Sequence, residues 1–189
     1  MKRYKCKKAE ATRLGILKAA SALFHKHGVK EVGLSRVMAE LDLTCGGFYK
    51  YFESKENLAV EVCDRSFHSA LQTWQGMLSE AQKASQAPAQ FFITQYLDLA
   101  ESGHCPIVAL GQSAFNSSHD QSFLRSYRNG TKTLLDTMVS VVQDQGFGMT
   151  REQALIQFSA MLGVSFLFRA VGSELWVKEI QQALSTQAG

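Results

Sequence analysis

Tyr49, Lys50, Tyr51 and Lys55 follow closely on a bare Gly46-Gly47 pair. Two phenolic hydroxyls and two ammonium groups beside unshielded backbone are the groups that grip phosphate while base edges are read in a duplex groove. Arg36 and Lys50 have the reach to meet guanine acceptors, and Lys50 serves a phosphate equally well. Ser35 and Arg36 fall in the first turn of a short helix, whose amides and side chains also suit phosphate or a base edge. Residues for other chemistry are missing: the sequence has no nucleophile elbow, phosphate loop, dinucleotide glycine signature or paired catalytic carboxylates. His25, His27, His68, His104 and His119 have no metal-ligand spacing with a cysteine or carboxylate. Neither an enzyme nor a metal or other cofactor is expected.

The charge supports a polyanion partner for one part of the chain. Lys and Arg outnumber Asp and Glu 13 to 8 over residues 1–65, and are outnumbered 7 to 9 over residues 66–189. A basic head on a faintly acidic body is the expectation. The N-terminal run Lys2-Arg3-Tyr4-Lys5-Cys6-Lys7-Lys8 is either an arm along a phosphate track or minor groove, or a solubilising disordered tail. Polar Glu10, Thr12 and Arg13 follow it where a secretion signal needs an apolar stretch. The longest apolar run, Phe158 to Phe168, is broken by Ser159, Gly163 and Ser165, well short of the roughly 20 residues that span a bilayer. A cytoplasmic protein with no membrane partner is expected. Cys6, Cys45, Cys63 and Cys105 lie far apart, which argues against a zinc site or a disulfide framework.

Helices must position the site, since nothing in the sequence reads as a strand. Ile16, Ala20, Leu23, Phe24 and His27 trace one helical face, and Gly28 is a left-handed stop, so helix one runs from about Ala9 to His27. Leu34 to Leu41 and Cys45 to Phe52 form a short pair joined through Asp42-Leu43-Thr44. There Asp42 adopts a positive φ and Thr44 caps the second member. Ser54 caps a long fourth helix with Cys63, Phe67, Ala70, Leu71, Trp74 and Leu78 along one stripe. Pro88 and Pro106 mark two further helix starts. Ser118-His119-Asp120-Gln121 and Thr150-Arg151-Glu152-Gln153 are capping-box patterns. Gly146 and Gly148 separate the last two long segments.

The stretch from Thr12 to Leu58 resembles the N-terminal domain of the TetR family of transcriptional regulators. The match is carried by Ile16, Ala19, Ala20, Leu23, Phe24, Gly28, Val37, Leu41, Leu43, Thr44, Gly47, Phe48-Tyr49, Tyr51-Phe52, Lys55-Glu56 and Leu58. The resemblance implies an all-α, homodimeric DNA-binding regulator. A three-helix, helix-turn-helix domain (residues 1–53) is joined by the long fourth helix to a helical ligand-binding and dimerisation domain (54–189). It implies a repressor released from a palindromic operator in double-stranded DNA by an unidentified small-molecule effector. An activator, or an architectural binder without ligand, uses the same parts. Carried over by position, the recognition helix presents Thr44, Cys45, Gly46 and Gly47. Tyr49 and Tyr51 touch the DNA backbone, and Lys55 touches a phosphate. Three residues depart from the usual pattern: Gly33 for a capping Thr or Ser, Asp42 for the turn Gly, and Cys45 for a polar base reader. The departures leave the fold intact and alter base preference. The glycine pair, at about 1 kcal/mol each inside a helix, reflects either backbone that must approach DNA closely or ordinary helical slack.

In the body, Trp74, Tyr96, Cys105, Phe115, Tyr127, Met161 and Phe168 are candidates to line an effector pocket, with plain core as the alternative for any aromatic among them. Cys105, before Pro106 at a helix start, is either a thiol sensor or a small buried hydrophobe. Cys45 would face DNA, where its oxidation could release the operator. The segment from Ala154 to Phe168 is apolar on nearly every side, more than one buried face requires. Phe158, Leu162 and Phe166, with Trp176, Ile180 and Leu184 on the following helix, are therefore candidates for a four-helix dimer interface.

Overall fold

The structure, a computed structural model, describes residues 2–83, 88–101, 103, 105–115, 121–144 and 149–187, with side chains for all of these but 2–6, 101, 141–144 and 187. The chain is all-helical, and its elements are α1 (Lys2–His27), α2 (Leu34–Ala39), a 3₁₀ turn (Cys45–Lys50), α3 (Lys55–Lys83), α4 (Pro88–Glu101), α5 (Pro106–Phe115), α6 (Gln121–Asp144), α7 (Arg151–Val171) and α8 (Leu175–Gln187). The Ser118 to Gln121 capping box, Gly146 and Gly148 fall outside the described residues. So do His104, His119 and the side chain of Cys6.

Two compact units result. One holds the chain up to Ser66 together with Ala109–Arg128, and the other holds Phe67–Val108 together with the chain from Asn129 on. In the first, α1 packs on α2 and α2 on the 3₁₀ turn. Ile16, Ala20, Phe24, Val37, Met38, Phe48 and Leu58 are fully buried there. Local chemistry sets the corners. Gly28 takes φ 84° and its N–H reaches the Phe24 carbonyl at 2.8 Å. Asp42 takes φ 54°, and Leu43 N–H to Met38 O (3.0 Å) with Asp42 N–H to Ala39 O (3.1 Å) closes α2 as a Schellman motif. Ser54 caps α3 by accepting from the Asn57 amide at 3.0 Å. A long-range cap accompanies these: the Ser113 hydroxyl accepts from the Val29 amide at 2.9 Å.

In the second unit α4, α7 and α8 pack pairwise. Thr150 and Gln153 form the expected reciprocal box at the start of α7. α7 runs for 21 residues with a mean hydropathy of 1.7 in its most apolar stretch, long and apolar enough to cross a bilayer. The run Phe158–Phe168 thus belongs to a longer apolar helix than its own length implied. One face of α7 is nevertheless core: Ala154, Phe158, Met161, Val164, Ser165 and Phe168 are buried.

Three boundaries differ from expectation. α1 begins at Lys2, so the basic arm continues the helix, consistent with good helix formers and no glycine or proline before Gly15. α2 stops at Ala39. The segment from Cys45, expected to be a recognition helix reaching Phe52, is a 3₁₀ turn of six residues ending at Lys50. Its glycines weaken an α-helix, and bonds from Gly47 N–H to Thr44 O and from Tyr51 N–H to Phe48 O, both 2.9 Å, tighten it to the three-residue repeat.

Candidate nucleic-acid interface

The 3₁₀ turn is anchored by one side chain. Phe48 is fully buried, stacks on Phe52 (centroids 5.6 Å apart, planes at 21°) and meets Tyr49 edge-on at 5.3 Å. Everything else on the turn is outward: Cys45, Gly46 and Lys50 are exposed, Gly47 is half-buried, and Tyr49 keeps 65% of its surface. Thr44 stands at the cap position in extended conformation (φ −83°, ψ 150°), but its hydroxyl caps no amide. The expected side-chain cap is absent because backbone bonding from Gly47 already closes the turn, which leaves the hydroxyl at the surface. Tyr51 and Lys55 are half-buried, and Lys55 Nζ donates to the Lys30 carbonyl at 3.3 Å.

On α2, Val37 and Met38 face the core while Ser35 and Arg36 lie exposed. Gly33 serves as an extended cap, its carbonyl accepting from Arg36 and Val37 at 3.1 and 3.3 Å. Arg36 Nη2 donates to His27 Nε2 at 2.9 Å. A guanidinium only donates, so this imidazole nitrogen is the unprotonated acceptor. Desolvation, then the charges of Arg36 and Lys26, hold the His27 pKa below its ordinary value. All ten residues expected to meet DNA therefore lie in the first unit, most of them at its surface. Among the described residues no cluster of three His, Cys, Asp or Glu is placed to hold a metal.

Two residues with no local signal join this region. Arg13 donates to Glu61 Oε1 from Nη1 at 2.7 Å and to Oε2 from Nη2, and its Cζ lies 4.5 Å from the Phe52 ring centre. Glu61 also accepts from Arg65 Nε at 3.2 Å. The Arg13 guanidinium, bonded to Glu61, holds that carboxyl below its usual range. Partners 48 residues apart leave no periodicity to read. A groove of about 470 Å³ in the same unit is lined by Lys7, Glu10, Ala11, Arg13, Leu14, Leu17 and Arg65, none of them an expected effector contact.

In the second unit Trp74 gathers rings around itself: Phe92 at 5.5 Å, Tyr96 at 5.4 Å and Phe158 at 6.1 Å, all close to edge-on. The Ser165 hydroxyl donates to the Met161 carbonyl at 2.9 Å, so the 2.8 Å bond between Tyr96 and Ser165 is donated by the phenol. Burial first, then Cys105, pushes the Tyr96 pKa far up. Trp74, Tyr96, Met161 and Phe168 are thus buried together in one unit, with Cys105 against Tyr96. Phe115 and Tyr127 belong to the other unit, and Phe115 has 89% of its surface exposed. Of the expected dimer residues, Phe158 and Leu184 are buried within the chain's own core, Phe158 against the Trp74 ring. Leu162 is half-buried, while Phe166 (59%), Trp176 (45%) and Ile180 (42%) stay exposed. Cys45 is exposed and free, and burial raises the Cys63 thiol to about 11.

Residues 16–62 match the family described as bacterial regulatory proteins, tetR family. No curated protein matches the chain by sequence. Among solved structures the fold is similar to that of E. coli NemR in its reduced form, with 18% identity, TM-score 0.74, and coverage of 93% of this chain and 96% of that one. It is similar to a TetR-family transcriptional regulator from Agrobacterium tumefaciens, with 16% identity, TM-score 0.77, and 95% and 98% of the two chains covered. A TetR transcriptional regulator from Legionella pneumophila shares 19% identity at TM-score 0.70, over 92% and 95% of the chains. At these identities the likeness is one of fold.

Proposed function

We propose that the chain is a DNA-binding transcriptional regulator of the TetR family, with the DNA-binding domain in the part that matches that family, residues 16–62, and that it is a repressor released from a palindromic operator by a small molecule. The observation that carries DNA reading is the 3₁₀ turn itself. It buries only Phe48 and turns Cys45, Gly46, Tyr49 and Lys50 outward, with Thr44 beside them, an arrangement with no packing purpose of its own. Tyr49 and Lys50 supply phosphate and base-edge contacts, and Arg36, Thr44 and the shape of the site supply the remaining specificity.

Two copies fit a palindrome, because the symmetry of a dimer sets the symmetry of its site. Support for a dimer comes from the outer face of α7. Ile156, Ser159, Gly163, Phe166 and Ala170 recur at helical spacing and are all exposed, beside exposed Trp176 and Ile180 on α8. Small residues between large apolar ones let a second helix approach closely. Such a face is covered in a dimer and has no need of a membrane, which agrees with action on DNA in the cytoplasm. Support for an effector comes from polar atoms in the second unit. Gln157 Oε1 and Thr131 Oγ1 are buried with no hydrogen-bond partner among the described residues, a state that costs roughly 1–3 kcal/mol per group unless something polar meets it. Effector binding would weaken operator affinity through a coupling free energy between the two sites.

The test is fluorescence anisotropy with labelled DNA from the region upstream of the protein's own gene. The expected preference over random DNA is at least about 10³-fold at fixed salt. A panel of small hydrophobic and electrophilic compounds should contain some that lower that affinity. Equal affinity for random DNA would point to architectural binding, and indifference to every compound would remove the effector from the proposal.

A further inference from the structure

Arg13 on α1 links α3 to the segment that follows the 3₁₀ turn. Its guanidinium makes a two-pronged bond to Glu61 on α3, one arm at 2.7 Å, while its Cζ stands 4.5 Å from the Phe52 ring centre. Phe52 is almost fully buried and stacks on Phe48 of the 3₁₀ turn, and Phe48 meets Tyr49 edge-on. An unbroken path of side chains therefore runs from an α3 carboxylate through an α1 guanidinium and two stacked rings to an exposed tyrosine. We propose that Arg13 is a positioning residue for operator recognition: it fixes the Phe52–Phe48 stack and through it the Tyr49 ring, while Glu61 sets where the guanidinium sits. This rests on the reading of the 3₁₀ turn as the DNA-reading element.

Both contacts use what only arginine supplies. The planar fork matches both carboxylate oxygens, and the same group stands over an aromatic ring. Lysine keeps the charge and loses both geometries. A part-exposed ion pair with no other role contributes little, and its loss would act on operator affinity independently of Tyr49. A path that ends at Tyr49 makes a different demand: removing Tyr49 must remove the effect of Arg13. It also places Glu61 of α3 in control of the reading turn, so that a shift of that part of the helix is felt at Tyr49. Spatial continuity alone does not establish coupling, and a double-mutant cycle does.

The full-length chain is assayed by anisotropy on operator DNA at one salt concentration as wild type, Arg13→Lys, Tyr49→Ala and the double variant, with thermal melts of each. Arg13→Lys is expected to weaken operator binding about fivefold in the wild-type background and to change it by less than about twofold when Tyr49 is already alanine. Phe52→Leu, which keeps apolar burial and removes the ring, should reproduce the loss and the coupling, and it decides the matter if Arg13→Lys melts below the assay temperature. Equal losses in both backgrounds, or no loss in either, would overturn the proposal while wild-type preference for operator stands. Absence of that wild-type preference would instead overturn the regulator reading on which it rests.

Discussion

Gly46→Ala separates folding from recognition, because the glycine's surroundings inside the protein are empty. A Cβ built at Gly46 meets nothing within 4 Å. Gly46 has no positive φ, so alanine fits its backbone. Replacing glycine by alanine within a helical turn stabilises by about 0.5–1 kcal/mol. At roughly 2–4 °C per kcal/mol for a chain of this size, Tm should rise by about 1–4 °C. On DNA the outcome reverses. If the turn docks closely, the added methyl overpacks the contact at about 1–3 kcal/mol per copy, so a dimer loses at least about 2 kcal/mol, or about 30-fold in operator affinity. The assay pairs a thermal melt with operator anisotropy at constant salt. A variant that melts higher and binds operator as tightly as wild type would refute close docking and reduce the glycine pair to helical slack.

Gly130→Ala should destabilise by about 1–3 kcal/mol, because its Cβ would lie 2.2–2.6 Å from three ring atoms of buried Phe67, whereas Gly76→Ala, with nothing within 4 Å, should raise the thermal midpoint. Lys50→Gln should lower the magnitude of the salt slope of operator binding by about 2, one phosphate contact in each of two copies, when affinity is measured across a salt series. Phe166→Asp places charge on an exposed apolar face of α7 and should shift the mass measured by light scattering from dimer to monomer with helical content unchanged. Glu61 has a pKa below that of a free carboxylate, so its contribution to stability is fully present above about pH 5 and is lost as pH falls through the depressed value; urea unfolding of wild type and Glu61→Gln should therefore differ at neutral pH and converge in acid.

The parts of this fold that were legible in the sequence are those decided within a few residues. Gly28, Asp42, Ser54 and the Thr150–Gln153 box act through backbone neighbours three to five positions away, and each performs the expected role. Thr44 shows where that logic stops: cap position follows from residue type, but whether the hydroxyl is used depends on the bonds the following backbone makes. The 3₁₀ character of the Cys45–Lys50 turn likewise depends on two glycines acting in a turn held by one buried side chain, and spacing alone reads the same residues as an α-helix. A helix apolar on most sides does not reveal which side its own core claims, so the pattern alone offers Phe158 and Leu184 to a partner although both are buried in the chain's own core. Arg13 and Glu61 leave no trace in the pattern for a different reason, since an ion pair across 48 residues exists only once α1 and α3 are in place.

The central claim is that the turn from Cys45 to Lys50 lies against operator DNA. Cys45 supplies its own probe, being exposed and free in the unbound chain. The most direct measurement is the rate of Cys45 alkylation by iodoacetamide, read by peptide mass spectrometry, in the free protein and with saturating operator DNA. The expected result is that operator slows the reaction at Cys45 in proportion to the bound fraction, while random DNA at the same salt and concentration leaves it unchanged. Operator that is bound, by anisotropy in the same sample, with Cys45 alkylated as fast as in the free chain would contradict the claim.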